Sequence, residues 1–365
     1  MVAIEKGERR PSSSELVQLA KVLNTEVSDL VREGIVDAAV SPRFRKTDRD
    51  RDAAYIEHAV ERLRRLGARY VELERMHGLH RAKAPLETLQ TYYIGDNIHG
   101  DPKIEGEDAA RTVRGVLGLG DGPATNIDER LESEAGLRIF YLDQIPPSLS
   151  AFFIWSDEFG ACVGVNAAHP RERQRWSLLH EFGHFLRDRE AGDILEQDTP
   201  LKQKHEIFPE AFAKEFLLPA MGIKKRFQER CRSGKFTPVD IYNMSRVFQV
   251  SFQAMALRLE DLRLLRKGTY DKIRESGIRT TTLAEHGSEA EPSLEERERS
   301  RLPELFVELS VSAYEQSLLS EKEFADFLEL TISDARELYQ KRRVIELDDS
   351  VQIMVDYSAG DLRDR

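Results

Sequence analysis

Residues 176–186, WSLLHEFGHFL, set two histidines four positions apart, with a glutamate beside the first, in an otherwise largely apolar stretch. An α-helix puts residues i and i+4 on one face, so His180 and His184 stand one above the other, with Glu181 projecting beside them. Trp176, Leu179, Phe182, Gly183 and Leu186 give this helix surface for close packing. Two readings follow. Either the helix merely carries two packed histidines, or the two imidazoles converge on a cation.

The chemistry of the second reading is specific. Two imidazole nitrogens on one face can hold a divalent ion at about 2.0–2.1 Å. They are neutral ligands and leave the ion electron-poor, and a neighbouring carboxylate can take a proton from its water, which is the arrangement of metal-assisted hydrolysis. A catalytic zinc takes three protein ligands and keeps an open position, so a third ligand is expected on a later element. Glu206, Glu210 and Glu215 lie in KHEIFPEAFAKEFLLP, and His205 is a further candidate. Pro209 suggests that a regular helix begins near it, with Glu206 in the preceding turn or first helical positions. Spacing alone does not choose among the four.

The whole chain bounds the setting. Its 365 residues, 40% of them hydrophobic, suffice for a real core and suggest two or three domains. No window approaches the roughly 18 consecutive apolar residues of a membrane span, and MVAIEKGERRP lacks the apolar run of a signal peptide. A cytoplasmic location is therefore expected. Only Cys162 and Cys231 are present, which excludes a disulfide framework and a cysteine-rich zinc module, so any metal must be held by histidine and carboxylate. The net charge of −11 repels nucleic acid as a whole, and any DNA contact has to come from a local patch. The first 75 residues supply no basic arm, with 15 Lys+Arg against 14 Asp+Glu.

Along the chain, serines fit for a helix N-cap precede Leu16, Leu19, Ala20 and Leu23 at helical spacing. SPRFRKTDRDRD reads as a solvated connector, and Ala53 to about His77 as one long helix. Gly, Pro, Asn and Asp punctuate 84–106 and mark a boundary. EDAARTVRGVLGLG predicts a helix ended by glycine, and NIDERLESEAG a second, capped by Asn126. LRIFYLDQI, AFFIW and ACVGVN predict strands, with 151–166 a hairpin and the strand ending at Asn166 an edge open to peptide addition. Helices are expected over about 170–188, 208–218, 238–248 and 251–265. Residues 279–300 read as a linker, and Ser320–Tyr339 as two helices about a short turn at LTIS. Trp155, Phe152 and Phe153 read as packing. His77, His80 and His99 have no partner at ligand spacing. GVLGLGDG lacks the preceding strand and following lysine of a phosphate loop.

These residues resemble the ImmA/IrrE family of zinc metallopeptidases, often fused to a Cro/repressor-type helix-turn-helix. The match covers LESEAGLRIFYL, the hairpin ending VGVN, ERQRWSLLHEFGHFL and EIFPEAFAKEFLLP, roughly residues 100–265. The resemblance implies that His180, His184 and Glu206 hold Zn²⁺ and that Glu181 activates water. It further implies clients that are repressor-like regulatory proteins. One departure falls on Pro209-Glu210, where the family usually has Ala-Asn, leaving Glu210 as a competitor for the third position. Mn²⁺ or Fe²⁺ can occupy the same donor set.

AIEKGERRPSSSELVQLAKVLNTEVSDLV likewise resembles the second half of a Cro/repressor-type helix-turn-helix. Met1 falls almost inside the recognition helix, so DNA reading is expected to be weakened. A small helical cap is the alternative. The fold expected is α+β, a mostly helical zincin-like core with a small antiparallel sheet, flanked by helical domains. Its expected organisation is a partial helix-turn-helix over 1–36, a helical connector over 37–100 and a peptidase domain over 101–220. A helical extension over 221–270, a linker over 271–300 and a C-terminal helical module over 301–365 complete it. The expected function is a zinc endopeptidase that cleaves a regulatory protein. The alternative is a non-catalytic DNA-binding or toxin–antitoxin regulator that keeps the peptidase fold as a sensor.

Overall fold

The computed structural model describes residues 49–79, 100–156, 158–188, 200–231, 235–278 and 302–346, together with Ser12, Glu15 and Gln18. The chain divides into two units, Met1–Ala39 and Val40–Arg365. Most of the expected helix-turn-helix, and the linker over 279–300, lie outside the described residues. Within the first unit, the Ser12 N–H donates to Glu15 Oε2 at 2.9 Å and the Glu15 N–H donates back to Ser12 Oγ at 3.4 Å. That reciprocal pairing is a capping box, the helix start expected from the serines.

The second unit is an α+β fold, mostly helical around one small sheet. α1 (Arg49–Met76), α2 (Pro102–Val116) and α3 (Ile127–Ser133) precede β1 (Arg138–Leu142), β2 (Ala151–Ser156) and β3 (Gly160–Asn166). Then come α4 (Arg171–Asp188), α5 (Pro200–Leu217), α6 (Ala220–Cys231), α7 (Pro238–Phe248), α8 (Phe252–Asp261) and α9 (Thr269–Glu275). α10 (Glu304–Glu315), α11 (Glu321–Phe327) and α12 (Ile332–Glu346) follow. α9 enters the stretch that the sequence reading assigned to a linker. Asn126 stands at the N-cap of α3 in a left-handed conformation, and its side chain makes no cap hydrogen bond.

The sheet corrects one expectation. Its order is β1-β3-β2, with β2 antiparallel and β1 parallel to β3, so it is mixed, and the strand ending at Asn166 is central. Both sides of β3 are already hydrogen-bonded, which removes it as an edge for an added peptide. The parallel pair arises because a helix-free crossover over 143–150 leads to β2 one strand position away from β1, and the β2–β3 turn then lays β3 between them. Asn166 fastens that crossover, its Nδ2 donating to Leu149 O at 2.9 Å and Pro146 O at 3.2 Å.

Side-chain alternation along the strands builds two cores, one on each face. Ile139, Tyr141, Ala151, Phe153, Ala161, Val163 and Val165 face α2–α5, α7 and α8. Phe140, Leu142, Phe152, Ile154 and Cys162 face α1 and the C-terminal helices α10–α12. Residues taken from the expected connector and C-terminal module thus share one apolar core on the back of the sheet. Arg138 anchors this side, paired with buried Glu74 at 2.8 Å and lying 4.9 Å over the Tyr70 ring. His77 joins it too, with Nε2 2.9 Å from Leu309 O.

α5 also begins earlier than expected, at Pro200, and runs through Pro209. A proline inside a helix removes one backbone hydrogen bond and crowds the preceding turn, so packing has to compensate. It does so at two glycines. A Cβ on Gly183 of α4 would stand 2.8 Å from Pro209 Cα, and one on Gly106 of α2 would stand 2.5 Å from Phe208 O. α5 is therefore wedged between α2 and α4, with the rings of Phe182, Phe208, Phe212 and Phe216 clustered around the crossing.

Gly183→Ala is expected to lower stability by about 1–3 kcal/mol, the usual cost of overpacking a core, because the atom it strikes is backbone. Gly115→Ala, whose Cβ would meet nothing within 4 Å, is the control and should be neutral or stabilising. Urea denaturation of both variants beside the parent chain checks the pair.

Candidate metal centre

α4 carries the first part of the site. The rings of His180 and His184 lie with centroids 4.9 Å apart and planes at 74°. Both side chains are buried, at 1% and 5% exposed, and so is Glu181 at 4%. Packing of Leu178, Leu179, Phe182, Phe185 and Leu186 into the front core turns the histidine face toward α5. The segment before the helix is held by Gln174, whose Nε2 donates to Ala167 O at 3.0 Å and His169 O at 2.9 Å. Arg175 donates to Ala124 O at 2.6 Å.

α5 carries the second part. One turn before the Gly183–Pro209 contact, Glu206 reaches back so that its Oε2 lies 3.2 Å from His180 Nε2 and its Oε1 3.7 Å from His184 Nε2. Among the described residues, His180, His184 and Glu206 form a group whose ligand atoms all lie within 4.8 Å of one another. Burial raises the Glu206 carboxyl, but the adjacent imidazoles outweigh it and hold this group well below the usual carboxylate range.

The remaining candidates go elsewhere. Glu210 lies on the opposite nitrogen of His180, with Oε2 3.7 Å from Nδ1. Glu215 is buried in an ion pair with Arg258, and its Oε1 accepts the Ala220 N–H at 3.1 Å, closing the start of α6. His205 is part-buried on α5 and is not a member of the three-residue group.

These residues fit a metal ion. A tetrahedral ion with bonds of about 2.0–2.1 Å separates its ligand atoms by about 3.3–3.4 Å, and the observed 3.2 and 3.7 Å bracket that spacing. Both ring nitrogens of His180 are buried and lack a hydrogen-bond partner. Such orphans are rare in folded proteins unless a ligand or ion completes them. Two imidazoles and one carboxylate are a known zinc donor set.

One contact was not legible from spacing. Trp176, read as packing, also directs its Nε1–H toward Glu210 Oε2 at 3.4 Å. The i, i+4 step from Trp176 to His180 is the sequence signal that places both beside the same glutamate.

Comparison with protein families finds a match for the segment that holds this site. Residues 132–260 fit the Peptidase_M78 family, described as the IrrE N-terminal-like domain. The matched segment runs from α3 to α8 and contains the whole sheet, α4 and α5, so this part of the chain has a metallopeptidase-type fold. No curated protein matches the chain. No helix among the described residues is long and apolar enough to cross a membrane.

Zn²⁺ at about 100 times its dissociation constant should stabilise the native state by about 2.7 kcal/mol, seen as a rise in Tm that a chelator reverses. His184→Ala should abolish the rise. A calorimetric scan of each protein with metal and with chelator reads both outcomes.

Proposed function

We propose that this chain is a zinc-dependent endopeptidase that cleaves a regulatory protein, with His180, His184 and Glu206 as metal ligands and Glu181 as general base. The observation that carries the reading is the convergence of buried His180 and His184 from α4 with Glu206 from α5. It occurs inside a segment that fits a peptidase family. Mn²⁺ and Fe²⁺ suit the same three donors.

Bound there, the ion would supply a Lewis acid that polarises a carbonyl and acidifies water. The chain supplies the remainder. Glu181 follows His180 on α4 and is buried, so its carboxylate takes the proton of the attacking water and returns it to the leaving amine. Glu206 supplies the anionic donor beside the two imidazoles, which hold its carboxyl below the usual carboxylate range. Burial of α4 against the sheet fixes both imidazoles before substrate arrives, so little reorganisation is needed during reaction.

The client on this reading is a repressor or related regulator, and cleavage would relieve repression. Proteins encoded beside this gene are the substrates to try first. DNA contact through the N-terminal unit remains secondary to proteolysis.

Glu181→Gln should retain metal and lose cleavage by about 10²–10⁴-fold, the usual contribution of a general base. A cleavage time course against candidate repressors, run with metal analysis of the same samples, is the measurement. Persistence of cleavage at the parental rate would remove Glu181 from the mechanism, while a metal-replete chain that cleaves none of them would favour a sensing role.

A further inference from the structure

We propose that Glu210 is a positioning residue that accepts the Nδ1 proton of His180 and so commits Nε2 to the metal. The inference rests on the metal site proposed above and adds a residue to it. Glu206 and Glu210 are one turn apart on α5 and therefore share a face. The Gly183–Pro209 contact presses this face onto α4 between them. The two carboxylates consequently straddle one imidazole, with Glu206 3.2 Å from Nε2 and Glu210 3.7 Å from Nδ1.

The two nitrogens of an imidazole point away from each other, so one ion cannot use both. His184 Nε2 lies on the Glu206 side, 3.7 Å from Glu206 Oε1. The ion therefore belongs to Nε2, and Glu210 is left on the far side of the ring. A neutral imidazole that ligates through Nε2 carries its proton on Nδ1. Nδ1 itself is buried and has no hydrogen-bond partner. Glu210 Oε2 faces it, and a small closure of 3.7 Å makes the bond.

The same oxygen lies 3.4 Å from Trp176 Nε1. Trp176 is one turn before His180 on α4, so its indole N–H holds the carboxylate over the imidazole. Indole, carboxylate and imidazole form a chain of Trp176, Glu210 and His180 that ends at the metal position. Partners of this kind orient a ligating histidine and raise its basicity, and removing one typically costs about 10–100-fold in metal affinity. The Glu210 side chain is 48% exposed, so water weakens its charge and the lower end of that range is expected.

The test uses the full chain as Glu210→Leu, Glu210→Gln, Trp176→Phe, the Glu210→Leu/Trp176→Phe double variant and Glu206→Gln. Zn²⁺ affinity is read by competition with a chromophoric chelator, and the visible spectrum of the Co²⁺ form reports ligand geometry. Glu210→Leu should keep one metal per chain, bind it about 10-fold more weakly and shift the Co²⁺ bands. Glu210→Gln retains an acceptor for Nδ1–H and should recover part of the loss. Trp176→Phe should weaken binding less than Glu210→Leu, and should add nothing to it in the double variant, because both act through one oxygen. Thermal unfolding of the metal-free forms should match the parent, which separates positioning from general packing. Parental affinity and spectrum in Glu210→Leu would overturn the proposal. So would loss of stoichiometric binding in Glu210→Leu with retention in Glu206→Gln, since Glu210 would then be a ligand. A parent chain that binds no metal would instead overturn the site itself, and this inference with it.

Discussion

The crossing of α4 and α5 at Gly183 and Pro209 is the contact on which the site depends. Only a residue without Cβ lets the two backbones approach this closely, with 2.8 Å from the position of an added Cβ to Pro209 Cα. Glu206, three residues before Pro209, and Glu210, immediately after it, would otherwise lie too far away to reach a histidine on α4. Gly106 performs the matching role on the other flank, where α2 meets Phe208 O. A cluster of phenylalanine rings fills what remains, among them Phe182 edge-on to Phe212 with centroids 5.6 Å apart.

The rest of the second unit holds this crossing in place from a distance. α4 rests on the front of the sheet through Leu178, Leu179, Phe182 and Phe185, and the sheet is in turn backed by α1 and the C-terminal helices. Three short strands could not bury both faces alone, which explains why β1 and nearly all of β2 are buried on both sides. Polar ties connect the layers where apolar contact ends. Arg62 pairs with Glu329 at 2.5 Å, and Arg69 donates to Asp326 O at 2.7 Å, joining α1 to the end of α11 and the turn after it. On the front, Arg114 is buried and donates to Phe216 O and to Gly120 O, the latter at 2.8 Å. Desolvation lowers its pKa to about 10, so it still carries its charge at neutral pH.

Much of this was legible in the sequence for reasons that can be named. The long α1 shows 3.6-residue periodicity, the helix holding the two histidines is marked by their i, i+4 spacing, and the 151–166 hairpin is rich in β-branched and aromatic residues between turn formers. Sheet order was not legible, because period-2 alternation tells which face a side chain takes and says nothing of the neighbouring strand. The start of α5 was misjudged because local proline chemistry was allowed to decide, whereas tertiary packing against Gly183 overrides it. The shared back core was missed for a related reason. Its partners, such as Tyr70 and Phe306 with rings 5.4 Å apart, are separated by more chain than any periodicity spans.

Three glutamates of one helix show why spacing could not assign the site. Glu206, Glu210 and Glu215 are chemically identical, and each is directed by what lies opposite. Glu215 meets Arg258 and the free N–H of Ala220, so its charge is spent inside the fold. Glu206 meets two buried imidazoles, and Glu210 meets one imidazole and an indole. Both nitrogens of His180 are buried, with carboxylate oxygens 3.2 and 3.7 Å away on the two sides of the ring. The packing of α4 on the sheet sustains that arrangement, because the histidine face cannot turn to water without exposing Leu179, Phe182 and Leu186. That packing keeps His180 between carboxylates on both sides of its ring, so what each glutamate of α5 does is set by its neighbours and not by its spacing.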